Sequence, residues 1–154
     1  MSKGVSMGSQ ILIASDHGGI GLKAHVVKLL EKMGVSVKDL GTHSEKSVDY
    51  TDYAIKLGKQ VGKNKDNKGI LICKSGIGMA ITANKVKGVR AALCVNKKMA
   101  KLSRLHNNSN VLVLGSLFVP KKNTKEILEA WLKASFEGGR HERRIKKITK
   151  FEGK

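Results

Sequence analysis

At 154 residues with 40% hydrophobic content, the chain can bury one well-formed core and is short for two, so one domain is expected. The formal net charge of +18 suggests polyanions, but lysines spread over nearly every predicted helix and loop. Aromatic residues make up only 4%, and no helix-turn-helix, zinc-finger or RNP pattern is present, so dedicated nucleic-acid binding is disfavoured. No apolar run approaches the roughly 20 residues that span a bilayer, and two cysteines without metal-ligand or disulfide spacing fit a soluble, cytoplasmic, reduced protein.

Residues 1–9 read as a disordered leader, and 10–154 as the single domain. Gln10 to Ser15 form a short buried strand that runs into Asp16, His17, Gly18 and Gly19. Leu22, Val26, Leu29, Leu30 and Met33 then recur at helical spacing, with Gly34 as the stop. Val35 and Val37 alternate in a second strand. After the loop GTHSEKSVDYTDY, a helix carries Ala54, Leu57 and Val61 on one face.

The third strand, Ile70 to Cys73, leads into the turn Ser75-Gly76-Ile77-Gly78-Met79 and a helix to about Lys85. The spacing is neither the dinucleotide pattern nor the Walker pattern, which needs Lys and Ser or Thr where Met79 and Ala80 stand. A polar, glycine-spaced turn between a buried strand and a helix is nevertheless where parallel α/β proteins hold anions, because backbone N–H groups and the positive helix end point there.

Val89 to Val95 reads as a fourth strand buried on both faces, followed by a helix with Met99, Leu102 and Leu105 on one side. That helix ends at the polar cluster His106-Asn107-Asn108-Ser109-Asn110. Val111 to Leu114 is the fifth strand, and Pro120 precedes a helix bearing Ile127, Leu128, Trp131 and Leu132. Five alternations of β and α call for an open parallel sheet with helices on both faces. In the C-terminal GGRHERRIKKITK, arginine is concentrated after a glycine pair, and its planar fork suits phosphate.

Five ordered motifs, SDHGG, VDYTDYA, ILICKSGIGMAITANKVKGVRAALC, LSRLHNNSNVLVLG and FEGGRHERR, resemble the type B ribose-5-phosphate isomerases and their relatives, the allose-6-phosphate and galactose-6-phosphate isomerases. The resemblance spans nearly the whole chain. It implies a Rossmann-like three-layer α/β/α fold with a five-stranded parallel sheet, and interconversion of an aldose phosphate with a ketose phosphate. Neither metal nor cofactor is implied. A homodimer, with a tetramer as the larger option, follows from the family; its basic segment 137–154 would pack on the partner subunit and make the active sites shared.

Moving a carbonyl from C1 to C2 requires a base for a carbon-bound proton, a cradle for enediolate oxygens and an acid for hydroxyl protons. In the family the base is a cysteine at the position of Cys73 or a glutamate at that of Met79, which leaves Cys73 here. Its free pKa of about 8.5 would fall beside a helix N-terminus and cations. Backbone amides from Ser75 to Met79, including Gly76, Ile77 and Gly78, would form the anion hole, and the Ser75 hydroxyl would pass a proton between substrate oxygens. By the same resemblance His106 is the ring-opening acid/base, Asn107, Asp16, His17 and Tyr50 bind the sugar, and Arg140 and Arg144 grip the phosphate.

Two positions depart from the family. Lys74 stands where glycine is common, so either that glycine's torsion is dispensable or the turn differs, and Leu117 stands where many members have a phosphate-binding arginine. Two other readings remain open: a six-carbon 6-phosphate isomerase, and a polyanion-binding protein on the same scaffold.

Overall fold

In the computed structural model, residues 10–153 are described, so the expected 1–9 leader lies outside the described residues. Five parallel strands form one sheet in the order β2-β1-β3-β5-β4, where β1 is Ile11–Ser15, β2 Val37–Asp39, β3 Lys68–Cys73, β4 Ala91–Leu93 and β5 Val111–Gly115. The helices are α1 (Ile20–Lys32), α2 (Tyr50–Gly62), α3 (Ile77–Asn84), α4 (Lys97–Asn107), α5 (Lys121–Lys133) and α6 (Arg140–Glu152).

Side chains alternate across the three central strands, and this parity divides the core. Ile11, Ile13, Ile70, Ile72, Leu112 and Leu114 pack on one face with residues of α1, α4 and α5, among them Val26, Ala100 and Trp131. Leu12, Ala14, Leu71, Cys73, Val111 and Val113 pack on the other with Ala54, Leu57 and Val61 of α2 and Met79 and Ala83 of α3. These two sandwiched layers give the expected α/β/α architecture.

One expectation fails. The fourth strand is shorter than Val89 to Val95 and lies at the sheet edge, paired only with β5, so its residues are half-buried and not enclosed on both faces. Val89 and Cys94, which give the run its apolar character, are buried on either side of the strand. Nor is the apolar side of α4 the one it buries: Ala100, Ser103 and Arg104 point inward, while Met99 is 41% exposed.

Polar residues occupy that inner face because they pair with one another, apart from Arg104 Nε, which has no hydrogen-bond partner among the described residues. The Ser103 hydroxyl donates to the Ala100 carbonyl and lies 2.8 Å from the Ser109 hydroxyl, which also accepts from Trp131 Nε1 at 3.0 Å. Arg104 Nη1 donates to Asn108 Oδ1 at 3.1 Å and to the Ser109 carbonyl. Burial pulls the Arg104 guanidinium down to about 10, with the nearby Arg90 charge acting in the same direction.

The turns after β3 and β5 cross closely. Cys73 and Gly115 are opposite each other in register, Ser116 N donates to the Cys73 carbonyl and Leu117 N to the Lys74 carbonyl. A Cβ on Gly115 would collide with the carbonyl of Ser75, a backbone group that cannot swing aside. Gly115→Ala should therefore lower stability by about 1–3 kcal/mol, the usual range for overpacking. Gly21→Ala, whose Cβ would meet nothing within 4 Å, should not destabilise. Urea unfolding of both variants checks this, and equal midpoints would contradict it.

A candidate active site in two halves

Strand order reverses between β1 and β3: the chain leaves β1 toward β2 on one side and leaves β3 toward β4 on the other. Their carboxyl ends therefore flank an open crevice, the usual ligand site of such sheets. The loops after these strands carry most of the expected site residues.

At the end of β3, the Cys73 side chain is 5% exposed, and its sulfur accepts from Gly76 N at 3.1 Å. Gly76 has φ 78 and caps α3; a Cβ there would stand 2.5 Å from Leu93 Cδ1 and 3.2 Å from Gly115 N. Glycine alone permits this left-handed turn in this space, so the N-terminus of α3 begins beside the thiol.

Within the Ser75–Met79 segment two backbone amides have partners of their own. Gly76 N is engaged by the Cys73 sulfur and Ile77 N by the Ser75 hydroxyl at 3.2 Å. The first helical bond is Ala80 N to Gly76 O, so helix geometry provides no acceptor one turn back for Gly78 N and Met79 N. The Met79 side chain itself is buried in the core.

The first loop packs against this turn. Asp16 N donates to the Ile72 carbonyl, the Asp16 carboxylate accepts from Gly18 N at 2.9 Å, and Ser116 Oγ donates to the Gly18 carbonyl. His17 Nδ1 accepts from Val48 N at 3.2 Å, which orients the ring and draws in the loop before α2. Tyr50, the first residue of α2, lies over Gly78: a Cβ on that glycine would stand 2.5 Å from its ring. Lys74 settles over Gly18, where a Cβ would meet its side chain at 2.6 Å. Asn108 is the only non-glycine with positive φ among the described residues, so Lys74 does not adopt a left-handed torsion.

The second half is built by α4, α6 and the turn between α5 and α6. His106 and Asn107 end α4, with Asn108 in the left-handed cap at φ 46. Glu137 N donates to the Leu105 carbonyl, which brings the GGRHERR segment alongside. The His106 and His141 rings stack at 4.3 Å with planes 11° apart. The Glu137 carboxylate lies 3.9 Å from His106 Nε2 and 3.6 Å from His141 Nε2.

Burial depresses the His141 pKa, the His106, Arg140 and Arg144 charges add to this, and Glu137 opposes it. Arg140 and Arg144, four residues apart in α6, share a face and are exposed. Glu137 and His141 were not singled out from sequence. Their four-residue spacing within EGGRH is the available signal, but the stacking that gives it meaning is tertiary.

The two halves do not meet within one chain. Cys73 pairs with Gly115 at the carboxyl end of β5, whereas His106 and Asn107 precede Val111 at its amino end. Four residue steps of strand separate these edges by about 13 Å. The structure groups Cys73, Ser75, Gly76, Ile77, Gly78, Met79, Asp16, His17 and Tyr50 at one edge, and His106, Asn107, Arg140 and Arg144 at the other.

No described helix is long and apolar enough to cross a membrane. The sequence pattern of the family described as Ribose/Galactose Isomerase matches residues 11–148. A probable ribose-5-phosphate isomerase B of Mycoplasma genitalium is 47% identical, covering 95% of this chain and 97% of that protein. The ribose-5-phosphate isomerase B of Escherichia coli is 43% identical over 93% of this chain and 96% of its own. A crystal structure of the Mycoplasma genitalium isomerase with bound ribulose 5-phosphate superimposes with a TM-score of 0.92 at 46% identity, covering 97% of this chain and 99% of that one. With the family pattern matched over residues 11–148 and these relatives alike over nearly its full length, the chain belongs to the ribose/galactose isomerase family.

Proposed function

We propose that the protein interconverts ribose 5-phosphate and ribulose 5-phosphate through an enediolate, with Cys73 as the base, in active sites shared between the two chains of a homodimer. The observation that carries the chemistry is the Cys73 thiol at the strand-order reversal, beside the N-terminus of α3 and the open amides of Gly78 and Met79. The Cys73 thiolate removes the C2 proton of the open-chain aldose, and the electron pair moves through C1 onto the carbonyl oxygen. The two amides stabilise the oxyanion where charge develops. The Ser75 hydroxyl carries a proton from one substrate oxygen to the other, and the Cys73 thiol returns its proton to C1.

Ring opening and phosphate binding call for the other half. His106 exchanges protons with the anomeric hydroxyl and ring oxygen, Asn107 binds the sugar, and Arg140 and Arg144 hold the phosphate. Because one chain keeps these groups at the edge opposite its own thiol, a second copy supplies them. Exposed Ile77, Ile81, Leu117 and Phe118, on α3 and the turn after β5, give that copy apolar surface to cover. Leu117, in place of an arginine, contributes to this surface and not to phosphate binding.

Cys73→Ala should lower kcat by about 100- to 10,000-fold, the range for a general base, while binding of a substrate analogue and thermal stability change little. Cys94 is the built-in control, because burial pushes its thiol up to about 11 despite an opposing hydrogen bond with Ser103. Alkylation that abolishes activity should be found on Cys73 by mass spectrometry. Modification at Cys94 alone would remove Cys73 from this role.

His106→Asn should impair turnover of the cyclic sugar more than that of an open-chain analogue unable to cyclise. Equal losses on both would assign His106 another task.

Sharing of the site is read by mixing inactive chains. Cys73→Ala with His106→Asn should regain activity, because one of the two sites in each mixed dimer then has an intact thiol edge and an intact imidazole edge. His106→Asn with Arg140→Ala should not, since both lesions lie in the same half. Absence of recovery in the first mixture, with subunit exchange verified, would place both edges of each site in one chain.

A further inference from the structure

The cluster of His106, Glu137 and His141 has more donor chemistry than ring opening requires. Two imidazole nitrogens and a carboxylate oxygen lie within 4.8 Å of one another. From Glu137 Oε2, the Nε2 atoms of His141 and His106 stand at 3.6 Å and 3.9 Å. Zinc bonds to such ligands are about 2.0–2.2 Å, so neighbouring donors of a tetrahedral site lie roughly 3.3 Å apart. Contractions of a few tenths of an ångström, within the freedom of the half-exposed Glu137 side chain, bring its oxygen to that spacing, and ligation also requires the two imidazoles, now stacked in parallel, to rotate so that their in-plane nitrogen lone pairs converge on one ion. The backbone is already fixed, because Glu137 N is tied to Leu105 O and His141 N to Gly138 O.

The donor set also selects the kind of ion. Two imidazoles and one carboxylate suit zinc and its late first-row neighbours, whereas magnesium and calcium favour oxygen ligands throughout.

We propose that His106, Glu137 and His141 form a binding site for a divalent ion of the zinc class, and that occupancy inhibits the enzyme reversibly by capping the His106 nitrogen. The ion takes no part in isomerisation. The inhibition, but not the site, rests on the proposed ring-opening role of His106.

Calorimetric titration of zinc chloride into the full-length protein, stripped with EDTA and dialysed, should show one site per chain. Glu137→Gln and His141→Gln should each weaken it at least about tenfold, since each removes a ligand. Glu137→Gln keeps the side chain's shape at a half-exposed position and remains informative if His141→Gln unfolds. Cys73→Ala removes the thiol that a second chain would bring to the same shared site and should leave the affinity unchanged, because the three ligands come from one chain. Undiminished binding by Glu137→Gln, loss of binding in Cys73→Ala, or no binding by the wild type would each overturn the site. Inhibition is scored as the ratio of activity with and without zinc, restored by EDTA. Zinc bound at these residues with full activity retained would uphold the site and remove His106 from the mechanism.

Discussion

Parallel pairing governs how this chain can do chemistry. When all strands run one way, strand-to-helix turns collect at one edge of the sheet and helix-to-strand turns at the other. Cys73 follows a strand and His106 ends a helix, so the topology holds them apart by the length of β5. No side-chain rotation closes such a gap. A reaction that needs both a carbon base and a ring-opening group must draw them from two chains, and the proposed dimer is therefore a consequence of strand direction.

Each edge is prepared by a different device. At the thiol edge, glycines permit backbone approach: Gly76 turns in the left-handed region with Leu93 and Gly115 against it, and Gly115 lies under Ser75. Such proximity aligns the start of α3 with the sulfur without relying on side-chain charge. At the imidazole edge, the arrangement depends on side chains, with a stacked histidine pair, a carboxylate between them and two arginines one helical turn apart. The first edge suits a developing oxyanion, and the second suits proton exchange and a phosphate.

The α4 helix joins the core to the second edge. Its inward polar residues are linked to Ser109, to Trp131 on α5 and to the left-handed Asn108 that ends the helix. The position of His106 therefore rests on a buried polar network one turn away. A network of this kind holds a unique geometry when its members are paired, and loosens its surroundings when one is lost.

The sequence determined the alternation of strands and helices, the apolar parity of β1, β3 and β5, and the thiol-and-glycine turn after Cys73, because these are local patterns that repeat with the backbone's own periods. It misassigned β4 and left the buried side of α4 open, since an edge position and a hydrogen-bonded polar interior depend on neighbours distant in the chain. Only the tertiary structure decided which residues share an edge. Ring stacking brought Glu137 and His141 to His106, strand direction separated that group from Cys73, and neither relation has a signature in residue spacing.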